Sequence, residues 1–342
     1  MIGATGLGAR AGAFELREIT FAVPRGAYGV VIGPAGSGKT TLLEMIAGII
    51  APTAGVLTLG DRDMAGVPPE ERGIGFVYQR GFLFPHLTVQ ANIEYGAADA
   101  AFAHLIAERL GVSPLYARGV RSLSGGERAL VAIARAVAAR PVLLLLDEPY
   151  SALDPRRRTL VRREMRVMHR EFGYTVLQVT HDFTEAGLLG DVAVLIDAGR
   201  VLQWGPPQQV FLAPASAYVA EFLGAENVFS GEVRAIESGV IEFRTGALSF
   251  HAVSDAAAGA GHAVVRADEI SISRAAPSSS ARNQFQGRIT ELSPLGALTR
   301  VVVDVGGTPL VAALTTHSVR ELSLGEGQTV WASFKAMAVH LC

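Results

Sequence analysis

The sequence predicts an α/β domain built on a mostly parallel sheet, followed by a small all-β tail. Two observations predict it. From about residue 14 to 223, short apolar runs alternate with longer stretches of helical periodicity. After Gly224 the helical texture gives way to short alternating runs separated by turn residues.

The apolar runs of the first part are GVVIG (29–33), GIGFVYQ (73–79), VLLLLDEP (142–149), TVLQVTHD (175–182) and VAVLID (192–197). They are apolar at successive positions, the pattern of strands covered on both faces. TTLLEMIAGI (40–49) and GERALVAIARAVAA (126–139) carry the helical pattern between them. In the tail, VFSGEVRAI, GVIEFRT, ALSFHAV and HAVVRA precede a linker-like AAPSSSA (275–281). GRITELS, TRVVVDVGG, TPLVAALT and TVWASFKAM follow it, at the spacing of a small barrel. The expected division is 1–224, a β-rich accessory segment 225–276, and a last domain 277–342.

A chain of 342 residues with 49% hydrophobic and 18% charged content can bury more than one core. Its net charge of −2 gives no global pull toward nucleic acid. Cys342 is the one cysteine, so no internal disulfide forms, which suits a reducing compartment. The opening MIGATGLGARAGAFEL lacks the layout of a signal peptide, and no apolar run reaches the roughly 18 residues of a membrane helix. The expectation is a soluble protein whose membrane role comes through a partner.

GPAGSGKT (33–40) fits the phosphate-loop pattern in its required setting, after a strand and before a helix. Gly33, Gly36 and Gly38 let the backbone wrap a polyphosphate. The N–H groups of Pro34–Thr41 that are present, including those of Ala35, Ser37 and Thr41, face its charge at a helix start. Lys39 reaches the terminal phosphates, and Thr40 offers a hydroxyl to Mg²⁺. Asp147 and Glu148 end a buried strand at the edge where α/β sheets bind ligands. Asp147 suits Mg²⁺, and Glu148 suits an attacking water. LSGGE (123–127) opens another helix, with Ser124, Gly125, Gly126 and Glu127 forming a second anion-binding helix start.

LSGGE, then LLLLDEP, SALD (151–154) and His181 in QVTHD together resemble the ATP-binding subunits of ABC transporters over residues 14–223. The resemblance implies a homodimer with ATP between two copies, each LSGGE gripping the nucleotide bound by the other. It implies that Gln79 links Mg²⁺ and the water to the transport partner, that Asp154 crosses to the other copy, and that His181 contacts the γ-phosphate. Two positions depart from the family. Ala11 stands where an aromatic residue usually stacks adenine, leaving Phe14 as the substitute. The signature helix begins ERAL, with Arg128 kept.

FLFPHLTVQANI (82–93) is similar to the importer branch, in which this segment docks on a membrane subunit; Phe82, Phe84 and Leu87 are apolar for a free loop. SARNQFQGRITEL (280–292), GALTRVVVDVGG (296–307), LTTHSVREL (314–322) and SFKAMAVHL (333–341) resemble the molbindin, or Mop-like, domain that binds molybdate and tungstate. ENVFSG (226–231) and VRADEISIS (265–273) resemble the accessory region of molybdate/tungstate importer ATPases, with Ala267 in place of a usual proline. Ser280, Arg282, Asn283, Thr315, Ser318 and Lys335 supply donors without a neighbouring carboxylate, which suits a tetrahedral dianion. Lys39 and Lys335 are the two lysines among 30 basic residues, and a compact ammonium suits tight anion sites.

The expectation is therefore the ATPase subunit of a molybdate/tungstate importer at the cytoplasmic face of a membrane. ATP and Mg²⁺ are its cofactors and the oxyanion a regulatory ligand. Its expected partners are permease subunits and, indirectly, a periplasmic or extracellular oxyanion-binding protein. A sulfate, ferric iron or polyamine importer subunit, a non-transport ABC ATPase, and an oxyanion sensor or storage protein remain as alternatives.

Overall fold

The computed structural model describes residues 1–237 and 239–342. Its compact units are Met1–Val210 and Phe211–Cys342. The division falls ahead of the expected 224/225, because the helix Ala217–Phe222 packs on strands of the tail.

The first unit opens with two long antiparallel strands, β1 (Ile2–Ala11) and β2 (Phe14–Val23). Then come β3 (Tyr28–Ile32), α1 (Lys39–Ala47), β4 (Ala54–Leu59), β5 (Arg62–Asp63), β6 (Ile74–Val77), α2 (Val89–Glu94), α3 (Ala100–Arg109) and α4 (Gly125–Ala138). The unit continues through β7 (Leu143–Asp147), α5 (Pro155–Phe172), β8 (Thr175–Thr180), α6 (Phe183–Leu189), β9 (Val192–Asp197) and β10 (Arg200–Gly205), and α7 (Pro207–Leu212) straddles its end. Strands β2-β1-β4-β5 form a four-stranded sheet, and β10-β9-β3-β8-β7-β6 a six-stranded one. In the larger sheet all neighbours run parallel except β10.

Every residue of β3, β7 and β8 is buried, which is why these strands read as unbroken apolar runs. Leu7, Leu16, Ile19 and Phe21 from the small sheet share one core with Leu42 and Leu43 of α1 and with Val31, Leu145 and Leu177 of the large sheet. The C-terminal ends of β3, β7 and β8 lead straight into the phosphate loop, Glu148 and His181.

Among its described residues the second unit has α8 (Ala217–Phe222) and ten strands: β11 (Asn227–Glu237), β12 (Val240–Thr245), β13 (Leu248–Val253), β14 (Gly259–Val265), β15 (Ser271–Ser273), β16 (Asn283–Leu295), β17 (Leu298–Val305), β18 (Thr308–Thr315), then α9 (Thr316–Glu321), β19 (Thr329–Phe334) and β20 (Val339–Leu341). They form two antiparallel five-stranded sheets, β13-β12-β11-β14-β20 and β15-β19-β16-β17-β18. The accessory segment and the last domain are not independent. β20, from the chain's end, pairs with β14, and β15 pairs with β19. One core, centred on Phe243, Phe250 and Phe334, serves both sheets. Among the described residues no helix is long and apolar enough to cross a membrane.

Candidate active site

The phosphate loop joins β3 to α1, and Gly38 caps the helix at φ 101°, a left-handed conformation that favours glycine. A Cβ there would stand 2.7 Å from the Phe14 ring and from Leu16. The Phe14 ring therefore lies against the loop while also packing on the core of the small sheet. Lys39 is 8% exposed, and its ammonium donates to the carbonyls of Gly33 (2.9 Å) and Pro34 (2.8 Å). Burial lowers its pKa, and the facing Glu148 and Asp147 work against that shift. The Ser37 hydroxyl is buried without a protein partner, as a phosphate-binding hydroxyl can be.

Opposite the loop, the Thr40 hydroxyl donates to Asp147 Oδ2 at 2.9 Å. Burial raises the pKa of Asp147, and the Thr40 bond partly offsets it. Glu148 follows at φ 44°, a strained position for a non-glycine residue, and its N–H donates to Val179 O at 3.1 Å. That backbone turn aims its carboxylate at two partners: Gln79 Nε2 at 3.4 Å and His181 Nδ1 at 3.1 Å. The structure thus brings Lys39, Thr40, Gln79, Asp147, Glu148 and His181 to one edge of the sheet. Thr40, Asp147 and Gln79 offer a hydroxyl, a carboxylate and an amide oxygen. That oxygen set fits Mg²⁺ held together with substrate phosphates.

Ser124 is the N-cap of α4 and Glu127 closes a reciprocal capping box with it, at 3.2 and 2.7 Å. The Ser124 N–H holds the Glu127 carboxyl below its usual range, and Arg118 at 3.1 Å adds to this. Gly126 packs on Ala152 and Leu153, where a Cβ would press at 3.2 and 3.1 Å. Gly125 lies against the same Ala152. Asp154 is exposed and caps α5, accepting from Arg157 N at 3.0 Å. The signature start and the Asp154 loop are thus neighbours within one chain.

The segment after Gln79 is partly self-supported. Asn92, fully buried, accepts from Phe84 N and donates to the carbonyls of Phe84 and Thr88. Phe84 packs on Tyr95, with the Arg135 guanidinium 5.0 Å from its ring centre. Internal contacts therefore account for Phe84, while Leu87 is half-buried and Phe82 is 61% exposed.

The six tail residues do not converge within one chain. Asn283 is 1% exposed, and its amide accepts from His251 N (2.7 Å) and donates to His251 O (2.9 Å). It clamps β16 to β13, which engages one N–H and one lone pair of the amide. Asn283 pairs with Phe334, so Arg282 and Lys335 follow at the same end of β16. Arg282 lies 3.7 Å from Glu237, a surface pair with little hold. Ser280 and Lys335 are exposed. Thr315 pairs with Leu298, beside the opposite end of β16, and its hydroxyl caps α9 through Ser318 N (3.0 Å) and contacts Ser318 Oγ (2.8 Å).

Sequence reasoning missed the polar residues behind the site, because each reads as an ordinary helix or strand position. Arg158 donates to the carbonyls of Tyr150 (3.2 Å) and Leu153 (3.1 Å). Arg162 meets Asp182 at 2.6 Å and pairs with buried Glu185. The one available signal was the i, i+4 spacing of Arg158 and Arg162 on the helix that Asp154 caps.

A phosphate loop, paired carboxylates at the next strand and a second capped glycine helix start define a P-loop ATPase of the signature-helix type. The ABC transporter family model matches residues 16–151, and the TOBE domain model matches 279–341. The molybdate/tungstate import ATP-binding protein WtpC of Pyrococcus horikoshii is 41% identical over 96% of this chain and 96% of its own. A sulfate/thiosulfate import ATP-binding protein of Chromobacterium violaceum is 38% identical over 88% of this chain and 83% of its own. Among solved structures, the dimeric ATP-binding cassette MJ0796 with ADP and Pi superposes at a TM-score of 0.56 and 26% identity, over 60% of this chain and 99% of that one. The chain belongs to the ATP-binding protein family of ABC transporters.

Proposed function

We propose that the chain is the ATP-hydrolysing subunit of a molybdate/tungstate importer, working as a pair of copies beneath separate permease subunits on the cytoplasmic side. The cluster of Gln79 and His181 around the Glu148 carboxylate carries the catalytic reading. The cargo reading is supported by a relation to the Pyrococcus horikoshii protein that extends through the tail. The sulfate/thiosulfate relative keeps a sulfate importer as the second reading.

In this reading the loop amides and Lys39 hold the β- and γ-phosphates. Thr40, Asp147 and Gln79 would hold Mg²⁺, which would supply charge neutralisation at the phosphate oxygens. Glu148 orients a water and takes its proton as the oxygen bonds to the γ-phosphorus and the bond to the β-phosphate oxygen breaks. His181 donates to the γ-phosphate, and Ser124 with Gly126 from a second copy completes the cage. Catalysis is positioning and charge neutralisation. Phe82, exposed beside Gln79, suits contact with the permease.

Ser280, Arg282 and Lys335 lie at one end of β16 and Thr315 and Ser318 beside the other, so an oxyanion site takes donors from two tails. Anion held there restrains the ATPase pair, which requires tighter binding to the open state. The test is ATP hydrolysis by the assembled transporter with molybdate, tungstate or sulfate, paired with calorimetry of each anion on the full chain. Binding of molybdate or tungstate with inhibition supports the reading. Heat from sulfate alone moves the cargo to sulfate, and hydrolysis indifferent to all three removes the regulatory role.

A further inference from the structure

Behind Glu148 and His181 runs a buried chain of polar side chains to which the proposed chemistry assigns nothing. Arg162, on α5, donates through Nη2 to Asp182 at 2.6 Å and to Glu185, which is 4% exposed. Glu185 also accepts from the amide of Gln178 on β8, and Tyr28 donates to Gln178 Oε1 at 2.5 Å. Among the described residues Arg162 Nε has no hydrogen-bond partner, and the guanidinium bonds these two carboxylates through Nη2. Asp182 is the residue after His181 and the N-cap of α6, accepting from Thr184 N at 2.8 Å.

The other end of the same helical face points to the Asp154 loop. One turn before Arg162, Arg158 grips the carbonyls of Tyr150 and Leu153, the residues just before Asp154. The Arg162 guanidinium also sits 5.9 Å from the Tyr150 ring. Glu148, Tyr150, His181, Asp182 and Glu185 line a cavity of about 10 Å³, room for a single water. Arg158 bonds the loop carrying Asp154 and lines this cavity with Glu148, and Arg162, one turn on, bonds the segment after His181.

We propose that Arg162, through Asp182 and Glu185, is a positioning residue that locks the His181 segment to the Asp154 loop, so that the two take up the hydrolysis geometry together. The inference rests on the roles given above to His181 and Asp154. Its physical basis is the cost of parting a buried ion pair, which makes the joint rigid rather than adjustable. Lys at 162 keeps the charge and loses the planar head that holds both carboxylates in one geometry.

The experiment measures kcat and KM for Mg-ATP hydrolysis, with melting temperature, on full-length wild type, Arg162→Lys, Glu185→Gln, their double variant and Ile106→Ala. Ile106 is fully buried on α3, outside this network, so Ile106→Ala serves as the stability comparator. The expected result is a fall in kcat of about tenfold or more for Arg162→Lys and Glu185→Gln, with KM for ATP within about twofold, since misplacement of catalytic groups costs rate rather than binding. The double variant should be no worse than the poorer single, because both break one joint. Ile106→Ala should lower the melting temperature and keep wild-type kcat. The proposal is overturned if folded Arg162→Lys and Glu185→Gln keep kcat within about twofold, or if kcat in all variants, Ile106→Ala included, simply follows melting temperature. A wild-type chain without Mg-dependent hydrolysis overturns the ATPase reading itself, and this inference with it.

Discussion

His181 Nδ1 stands 3.1 Å from Glu148 Oε1, and this contact joins the end of β8 to the strained residue after β7. It places a hydrogen-bonding imidazole beside the group proposed to activate water. Replacing Glu148 by Gln keeps the shape and removes the base. Hydrolysis should fall by roughly 10²–10⁴-fold, with ATP binding retained. Steady-state hydrolysis and nucleotide binding on the same preparation check this; equal turnover by Glu148→Gln would end the assignment.

The Thr40–Asp147 bond makes a second prediction. Thr40→Val is nearly isosteric and deletes the hydroxyl proposed to hold Mg²⁺ while leaving Asp147 buried. The Mg²⁺ concentration for half-maximal hydrolysis should rise at least several-fold, and EDTA should abolish turnover in both proteins. A magnesium titration reads the result.

Gly38 and Phe14 form a packing pair. Gly38→Ala puts a Cβ 2.7 Å from the Phe14 ring at a φ of 101°. The loop should lose nucleotide affinity by an order of magnitude or more, as a shift of about 1 Å can cost ~10²-fold. Phe14→Ala should recover only part of it, since the backbone strain stays. Nucleotide titrations on the single and double variants separate the two causes.

Asn283 and Lys335 should part company. Asn283→Ala leaves a half-buried N–H and C=O of His251 unpaired, at about 1 kcal/mol for each. The tail should melt earlier, by several degrees. Exposed Lys335→Ala should change stability by no more than about 0.5 kcal/mol. It should nonetheless weaken molybdate binding by calorimetry. Unchanged affinity would mean that the second lysine is not a ligand.

Acid should test the signature cap. The Ser124 N–H bond depresses the Glu127 carboxyl in the folded chain. Its contribution is therefore present above the ordinary carboxylate pKa of about 4.3 and is lost as pH falls through the lower folded value. Melting temperature against pH should show a shallower acid limb in Glu127→Gln than in wild type.

The candidate nucleotide site was legible in the sequence because its physics is local. A loop of glycines between strand and helix, a carboxylate pair closing a buried strand and a Ser-x-x-Glu box each fold from a few adjacent residues. The tail's β character was legible for the same reason, through alternation and turns. Its division was not, since the pairing of β14 with β20 joins residues far apart in the chain.

Long-range contacts decided the remainder. SARN reads as a run of donors, but only the approach of β13 shows that the Asn283 amide is engaged in a backbone clamp. Arg282 and Thr315 look like partners in a list, and the register of β16 sets them at opposite ends. Arg162 and Glu185 read as helix surface until α5 and α6 close over β8 and turn them into a buried joint. Sequence by itself determined which backbone conformations and charges stand at each ligand-facing loop. Tertiary structure decided which polar groups remain available there, because burial and hydrogen-bond saturation depend on neighbours that chain order does not reveal.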